Sequence, residues 1–109
     1  MPQSTADEVK TLVWYYPKND RVEELIHLVA GHWPTLHRLG LATDQPGQVW
    51  RAQDKRTGEP FIVELFAWRS TEASEVAHQT PEVMAIWETM GPLIESMKLA
   101  RLDAVPVPT

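Results

Sequence analysis

The sequence predicts an α+β fold, an antiparallel sheet carrying helices on one face in the ferredoxin-like order β-α-β-β-α-(β). Three observations carry this. Runs rich in β-branched and aromatic residues occur at 11–17, 48–54 and 60–68. Apolar residues at helical spacing follow the first and the third of them. The second and third runs are joined only by the polar segment "KRTGE", which reads as a hairpin with Gly58 in its turn. At 109 residues the chain is expected to form a single domain over 1–109, with one core.

Residues 1–9 are polar and are expected to fray. The run "TLVWYYP" is the first strand, stopped by Pro17, and Asn19 or Asp20 then offers a helix N-cap. Val22, Leu25, Ile26, Val29, Trp33 and Leu36 form one helical stripe, which Pro34 should kink or restart and Gly40 should end. After the hairpin, Ser70 can cap a short helix over 71–78. Thr80-Pro81-Glu82-Val83 is a strong helix start: a capping residue, a proline at the first position, and an acid near the positive end of the helix dipole. Val83, Trp87, Met90, Ile94 and Met97 make the stripe of that helix, interrupted at Gly91-Pro92. The tail 102–109 is too proline-rich for a central strand and is expected to be an edge or an extended arm.

The run "FIVELFAW" is apolar on both faces. Phe61, Val63, Leu65 and Ala67 share one side, and Ile62, Glu64, Phe66 and Trp68 share the other. A chain this short has helices enough to cover one side. The simplest cover for the second is another copy of the sheet, so a homodimer is expected.

Composition excludes some partners. A net charge of −5 and the lack of any basic run argue against nucleic acid and anionic membrane. There is no cysteine, hence no disulfide or thiolate chemistry. No apolar stretch approaches the roughly 20 residues of a bilayer span, and the first ten residues lack a basic-then-apolar signal pattern. A cytoplasmic location is the default expectation. No dinucleotide, P-loop or serine-hydrolase motif occurs.

Few residues could carry chemistry. With a hairpin loop of two or four residues, Arg51 falls directly opposite Glu64, within ion-pair reach; a loop of three or five puts Trp50 or Ala52 there instead. An Arg51–Glu64 pair is either the polar floor of a pocket or a bridge that fixes strand register. His78, ahead of the cap at Thr80, is either a general base or a residue holding the helix-ending turn. His27, His32 and His37 recur every five residues and so do not share a helix face; no metal site is expected. Trp14, Trp33, Trp50, Trp68 and Trp87 read as core, or as walls for a flat hydrophobic ligand.

One stretch also carries a family likeness. Trp68-Arg69-Ser70 at a strand end, Ala77-His78, Thr80-Pro81-Glu82-Val83 and then Trp87 and Met90 resemble the antibiotic-biosynthesis-monooxygenase-like superfamily of small dimeric α+β barrels, within a mostly uncharacterised bacterial branch. The resemblance implies a pocket between sheet and helices lined by Trp68, and strand and helix spacing bring Phe66, Trp87 and Met90 beside it. It also implies oxygenation of phenols or quinols without metal, flavin or other cofactor. Haem-degrading relatives have an asparagine on the first strand and a histidine on the later helix. Here the first strand reads "TLVWYY" and Trp87 stands at the histidine position. Some quinone-forming relatives carry a tyrosine shortly after the tryptophan, where this chain has Ser70 and Glu72. Two functions are thus expected to compete. One is a cofactor-free monooxygenase of a phenol or hydroquinone using His78, Arg51 and Glu64. The other is a non-catalytic homodimeric barrel that holds a small hydrophobic ligand or none.

Overall fold

A computed structural model describes residues 8–109. Four strands, β1 (Val9–Pro17), β2 (Gln48–Gln53), β3 (Pro60–Trp68) and β4 (Ile94–Arg101), form one antiparallel sheet in the order β2-β3-β1-β4. The helices are α1 (Val22–Ala30), α2 (His32–Arg38), α3 (Thr71–Ala77) and α4 (Pro81–Met90). They bury one face of the sheet, and the α+β, ferredoxin-like class is the one expected. No helix among the described residues is long and apolar enough to cross a membrane.

The core is the meeting of two periodicities. Leu25, Val29 and Leu36 from α1 and α2, with Val83 and Met90 from α4, pack on the alternate strand residues Val13, Tyr15, Ile62 and Phe66. Each such aliphatic side chain contributes about 1.5–3 kcal/mol by leaving water. The opposite sheet face has no helix over it among the described residues. Its Leu12, Trp14, Tyr16, Phe61, Val63 and Leu65 are only half-buried, and Trp50 is 48% exposed. There Trp14 and Tyr16 lean on Phe61, with ring centroids 5.6 and 5.5 Å apart.

Several elements depart from expectation. The expected fraying of 1–9 stops short of Val9, which pairs with Trp68 as the first residue of β1; residues 1–7 lie outside the described residues. Neither Asn19 nor Asp20 caps α1. Asp20 instead takes the left-handed conformation (φ 63°), which aspartate tolerates, and turns the chain so that Arg21 precedes a helix whose first turn holds Glu23 and Glu24. The helical stripe breaks at Gly31, so that Pro34 falls in the first turn of α2, where its missing N–H costs nothing. Gly40 (φ 78°) ends α2, and Leu41 N–H donates back to the Leu36 carbonyl at 2.8 Å. Ser70 caps α3 as expected, accepting from the Ala73 N–H.

The last helix does not run on to Met97. It stops at Met90, passes through a single 3₁₀ turn (Gly91–Leu93), and Ile94–Arg101 is the fourth strand. Gly91-Pro92 breaks the helical pattern, and beyond it Met97 and Leu99 alternate rather than follow a helical period. The fourth strand therefore precedes the tail, and Leu102 of the tail holds the sheet through its N–H to the Lys10 carbonyl.

The hairpin register corrects the Arg51–Glu64 pair. Gln53 faces Pro60, so the loop is Asp54–Glu59, Arg51 lies opposite Ile62, and Glu64 lies between Val49 and Val13. The Asp54 side chain widens the loop by accepting from the N–H groups of Arg56 (2.8 Å) and Thr57 (3.0 Å). A slip of two residues preserves the faces and changes the partners. The side chain of Arg51 is 58% exposed, and its guanidinium pairs with Glu23 on α1.

Candidate active site

The expected aromatic set does converge. A cavity of about 270 Å³ lies on the helical side of the sheet, between β1, β3, β4 and the last two helices. Phe66 and Trp68 reach it from alternate positions of β3, and their rings meet edge to face at 5.1 Å. Trp87 and Met90 close it from α4, and His78, the residue ending α3, stands at its rim with its ring 4.8 Å from Trp87. Met97 and Leu99 form the remaining wall, and both are well exposed. Arg51 is elsewhere.

The end of β3 is held on both sides. Val9 pairs with Trp68 from β1, and the segment after α2 pairs from the other flank, through Thr43 N–H to the Ala67 carbonyl (3.0 Å) and Arg69 N–H to the Leu41 carbonyl (2.8 Å). Trp68 is thereby kept at 8% exposure on a fixed backbone.

Glu64 is 1% exposed, and its partners are two residues the sequence reading had not placed in the site. The Tyr15 hydroxyl donates to Oε1 at 2.6 Å, and Nδ1 of His32 lies 2.9 Å from Oε2. On the far side of the ring, the Trp87 indole N–H donates to His32 Nε2 at 2.9 Å. This chain of bonds has one consistent reading. An indole nitrogen can only donate, so Nε2 accepts and carries no proton. The imidazole proton is then on Nδ1 and is given to Glu64, whose two oxygens both accept. Glu64 is a carboxylate beside a neutral histidine. Burial, and then the neighbouring carboxylate, push the Tyr15 hydroxyl far above its usual ionisation range, so it remains a donor.

Tyr15 and His32 border the cavity, and Glu64 stands behind them. Both had a signal in the sequence. His32 falls in the register of Leu25, Val29 and Leu36, spaced four, three and four residues apart, whereas Trp33 beside it points off the stripe and is half-buried. Tyr15 alternates with Val13 on the inner face, and a buried tyrosine hydroxyl requires a partner. The other helical histidines lie apart. His27 is exposed, and His37 stacks on Trp33 and meets Asp44 at 2.9 Å. Among the described residues, no three His, Asp or Glu side chains come together in a group that could hold a metal ion.

No protein-family model and no curated protein matches the sequence. Solved structures do match its shape. SnoaB from Streptomyces nogalater, a cofactor-independent oxygenase, superposes with a TM-score of 0.70 at 15% identity, over 93% of this chain and 96% of its own. An antibiotic biosynthesis monooxygenase superposes at 0.67, with 14% identity over 90% of this chain and 99% of its own. The fold is that of the antibiotic-biosynthesis-monooxygenase-like proteins. A Mycobacterium tuberculosis protein shares it at a TM-score of 0.68 and 14% identity, over 94% of this chain and 99% of its own. In this monooxygenase-like fold, the cavity beside Trp68 lies between the sheet and the helices, where the resemblance implied a pocket.

Proposed function

We propose that the chain is a cofactor-independent monooxygenase of a small phenol or hydroquinone, and that it works as a homodimer. The observation that carries this reading is the cavity: flat aromatic walls from Phe66, Trp68 and Trp87, and one polar end at Tyr15 and His32. Such a lining favours a planar ring with one or two hydroxyls over a sugar or a nucleotide, which would leave many donors unpaired. The fold shared with a cofactor-independent oxygenase supports the same direction.

In this chemistry the site removes the hydroxyl proton, and the electron-rich aryloxide reacts directly with dioxygen. For a phenol, one oxygen atom enters the ring as the second carbonyl of a quinone and the other leaves as water. The four electrons taken from the ring reduce dioxygen fully, so no external reductant is needed. The protein's part is to hold the ring, exclude water and accept the proton. Oxygen uptake with a simple naphthol or hydroquinone, without added metal or flavin, tests the proposal. Uptake is expected in the parent chain and is expected to fall in Trp68→Ala.

A second reading is favoured by the completeness of the polar chain. Every donor and acceptor from Tyr15 to Trp87 already has a partner inside the protein. That suits a non-catalytic barrel that binds a hydrophobic molecule while Glu64 fixes the core. Saturable binding of naphthol without oxygen uptake would favour this reading.

The homodimer rests on the half-buried sheet face of Trp14, Trp50, Phe61 and Val63. A face of this kind is a large apolar patch for a monomer.

A further inference from the structure

Two histidines border the cavity, and they differ in what stands behind them. His78 is exposed at the rim, and no side chain among the described residues fixes its ring nitrogens. His32 is 4% exposed, and its Nδ1–H is held by a carboxylate that is itself 1% exposed. That carboxylate is anchored on its other oxygen by Tyr15. A buried carboxylate on Nδ1 fixes the tautomer, aims Nε2 away from itself, and stabilises positive charge that forms on the ring. Nε2 is thus the buried, oriented acceptor at the cavity, and the Trp87 N–H occupies it.

Trp87 can give way. It is half-buried, in contrast to His32, and its outer neighbour is the exposed ring of His78. The bond it makes to Nε2 is a neutral hydrogen bond, which a phenolic hydroxyl, a better donor, can replace. The charge around the cavity narrows the choice of ligand further. Among the described residues no Lys, Arg, Asp or Glu borders it, and the Glu64 carboxylate lies behind its polar end. An aryl carboxylate or phosphate would meet no cation and would face that negative charge.

We infer that His32 is the catalytic base of this cavity, that Glu64 is its positioning residue, that Trp87 latches the base before substrate binds, and that the substrate is a neutral hydroxyarene. The inference rests on the aryl-hydroxyl reading above and names the residues that carry it. In the step, the aryl hydroxyl takes the place of the indole N–H at Nε2. Its O–H bond breaks, the proton forms a new N–H bond on Nε2, and the electron pair stays on oxygen as an aryloxide. The imidazolium keeps its Nδ1–H on Glu64. No electron is transferred, and the proton later leaves with the product or to water. The freed indole N–H is then a donor beside the new aryloxide.

Para-nitrophenol tests this without turnover, because its ionisation is visible. The full chain is mixed with it in mildly acidic buffer, where the free probe is mostly protonated. Binding is read from tryptophan fluorescence and ionisation from the phenolate band. Expected are binding and a phenolate band in the parent, and binding without the band in His32→Gln. A phenolate fraction lower by about tenfold is expected in Glu64→Gln, from loss of the charge that supports the imidazolium. Trp87→Phe keeps the ring and the His32–Glu64 pair but removes the competing donor. It is expected to bind the probe about three- to tenfold tighter, the equivalent of one neutral hydrogen bond. Binding without a phenolate band in the parent, an undiminished band in His32→Gln, or no gain in Trp87→Phe would overturn the inference while leaving the aryl-hydroxyl pocket standing. No binding of the probe at all would overturn both.

Discussion

The indole N–H of Trp87 lies 2.9 Å from Nε2 of His32, and that contact leaves the nitrogen with no proton of its own to give. A residue on the last helix thereby occupies the free nitrogen of a histidine on the second helix, 55 positions earlier in the chain, whose tautomer Glu64 sets from the other side.

The tautomer is directly measurable. Long-range nitrogen–proton correlation spectra at neutral pH are expected to show His32 protonated on Nδ1 and bare on Nε2. Trp87→Phe should keep this tautomer, since Glu64 still takes the Nδ1 proton. A proton on Nε2 in the parent protein would mean that the indole bond is not made in solution.

Tyr15→Phe isolates one hydrogen bond to the buried carboxylate. It removes the hydroxyl that Glu64 holds at 2.6 Å and leaves the ring packing in place. A loss of about 1.5–3 kcal/mol in urea unfolding is expected, the range for a bond to a charged group. A loss below about 0.5 kcal/mol, the size of a change at an ordinary surface site, would show that Glu64 is satisfied by something other than Tyr15.

The same hydroxyl sets the response to alkali. Its folded ionisation is raised above the unfolded value of about 10. Above that pH the unfolded chain loses a proton that the folded chain keeps, so unfolding gains. The contribution of Tyr15 is therefore whole below about pH 10 and declines as the pH climbs past it. In a Tyr16→Phe background, where Tyr15 is the one remaining tyrosine, the tyrosinate absorbance is expected to rise only together with loss of the folded circular dichroism signal. Reversible ionisation in the folded chain would contradict the burial.

Arg51 offers a contrast. It meets Glu23 at the exposed edge of β2 and has no part in the cavity. Arg51→Ala is expected to leave para-nitrophenol binding unchanged. Its thermal midpoint should stay close to the parent's, and closer still in high salt, where such a pair is screened.

The uncovered sheet face gives the fifth expectation. Sedimentation should report a dimer at micromolar concentration, and Val63→Lys should shift it to monomer while the helical signal persists. A parent chain that sediments as a monomer would remove the dimer from the proposal.

Much of this architecture is legible in the sequence because alternation and helical spacing are local. They give the faces of β3, the cap at Ser70 and the helix start at Pro81. The convergence of Phe66, Trp68, Trp87 and Met90 also follows, since it needs only the order of elements and their buried sides. What could not be read is what depends on contacts distant in sequence. The partner of Glu64 turned on a loop widened by the side chain of Asp54, which strand alternation does not record. His32 reads beside His27 and His37 as one of three histidines that share no helix face, whereas its place in the Leu25–Leu36 stripe marks it as a buried group in need of a partner. Met97 fitted a helical stripe by its spacing from Met90, and only the break at Gly91-Pro92 separates that reading from a strand.

One wall of the cavity, Met97 and Leu99, belongs to β4, which among the described residues has a neighbour on one side only. A strand tied by a single ladder can part from the sheet at a fraction of the free energy needed to unfold the rest. That wall is thus one of the two edge strands of the sheet, β2 being the other. Entry of a ring wider than the resting opening is then expected to follow how often the β1–β4 ladder breathes. Amide exchange along 96–100 would then keep time with ligand association. Substitutions on the outer row of that strand, at Lys98 or Ala100, would change how fast a ligand arrives while leaving how tightly it is held almost untouched.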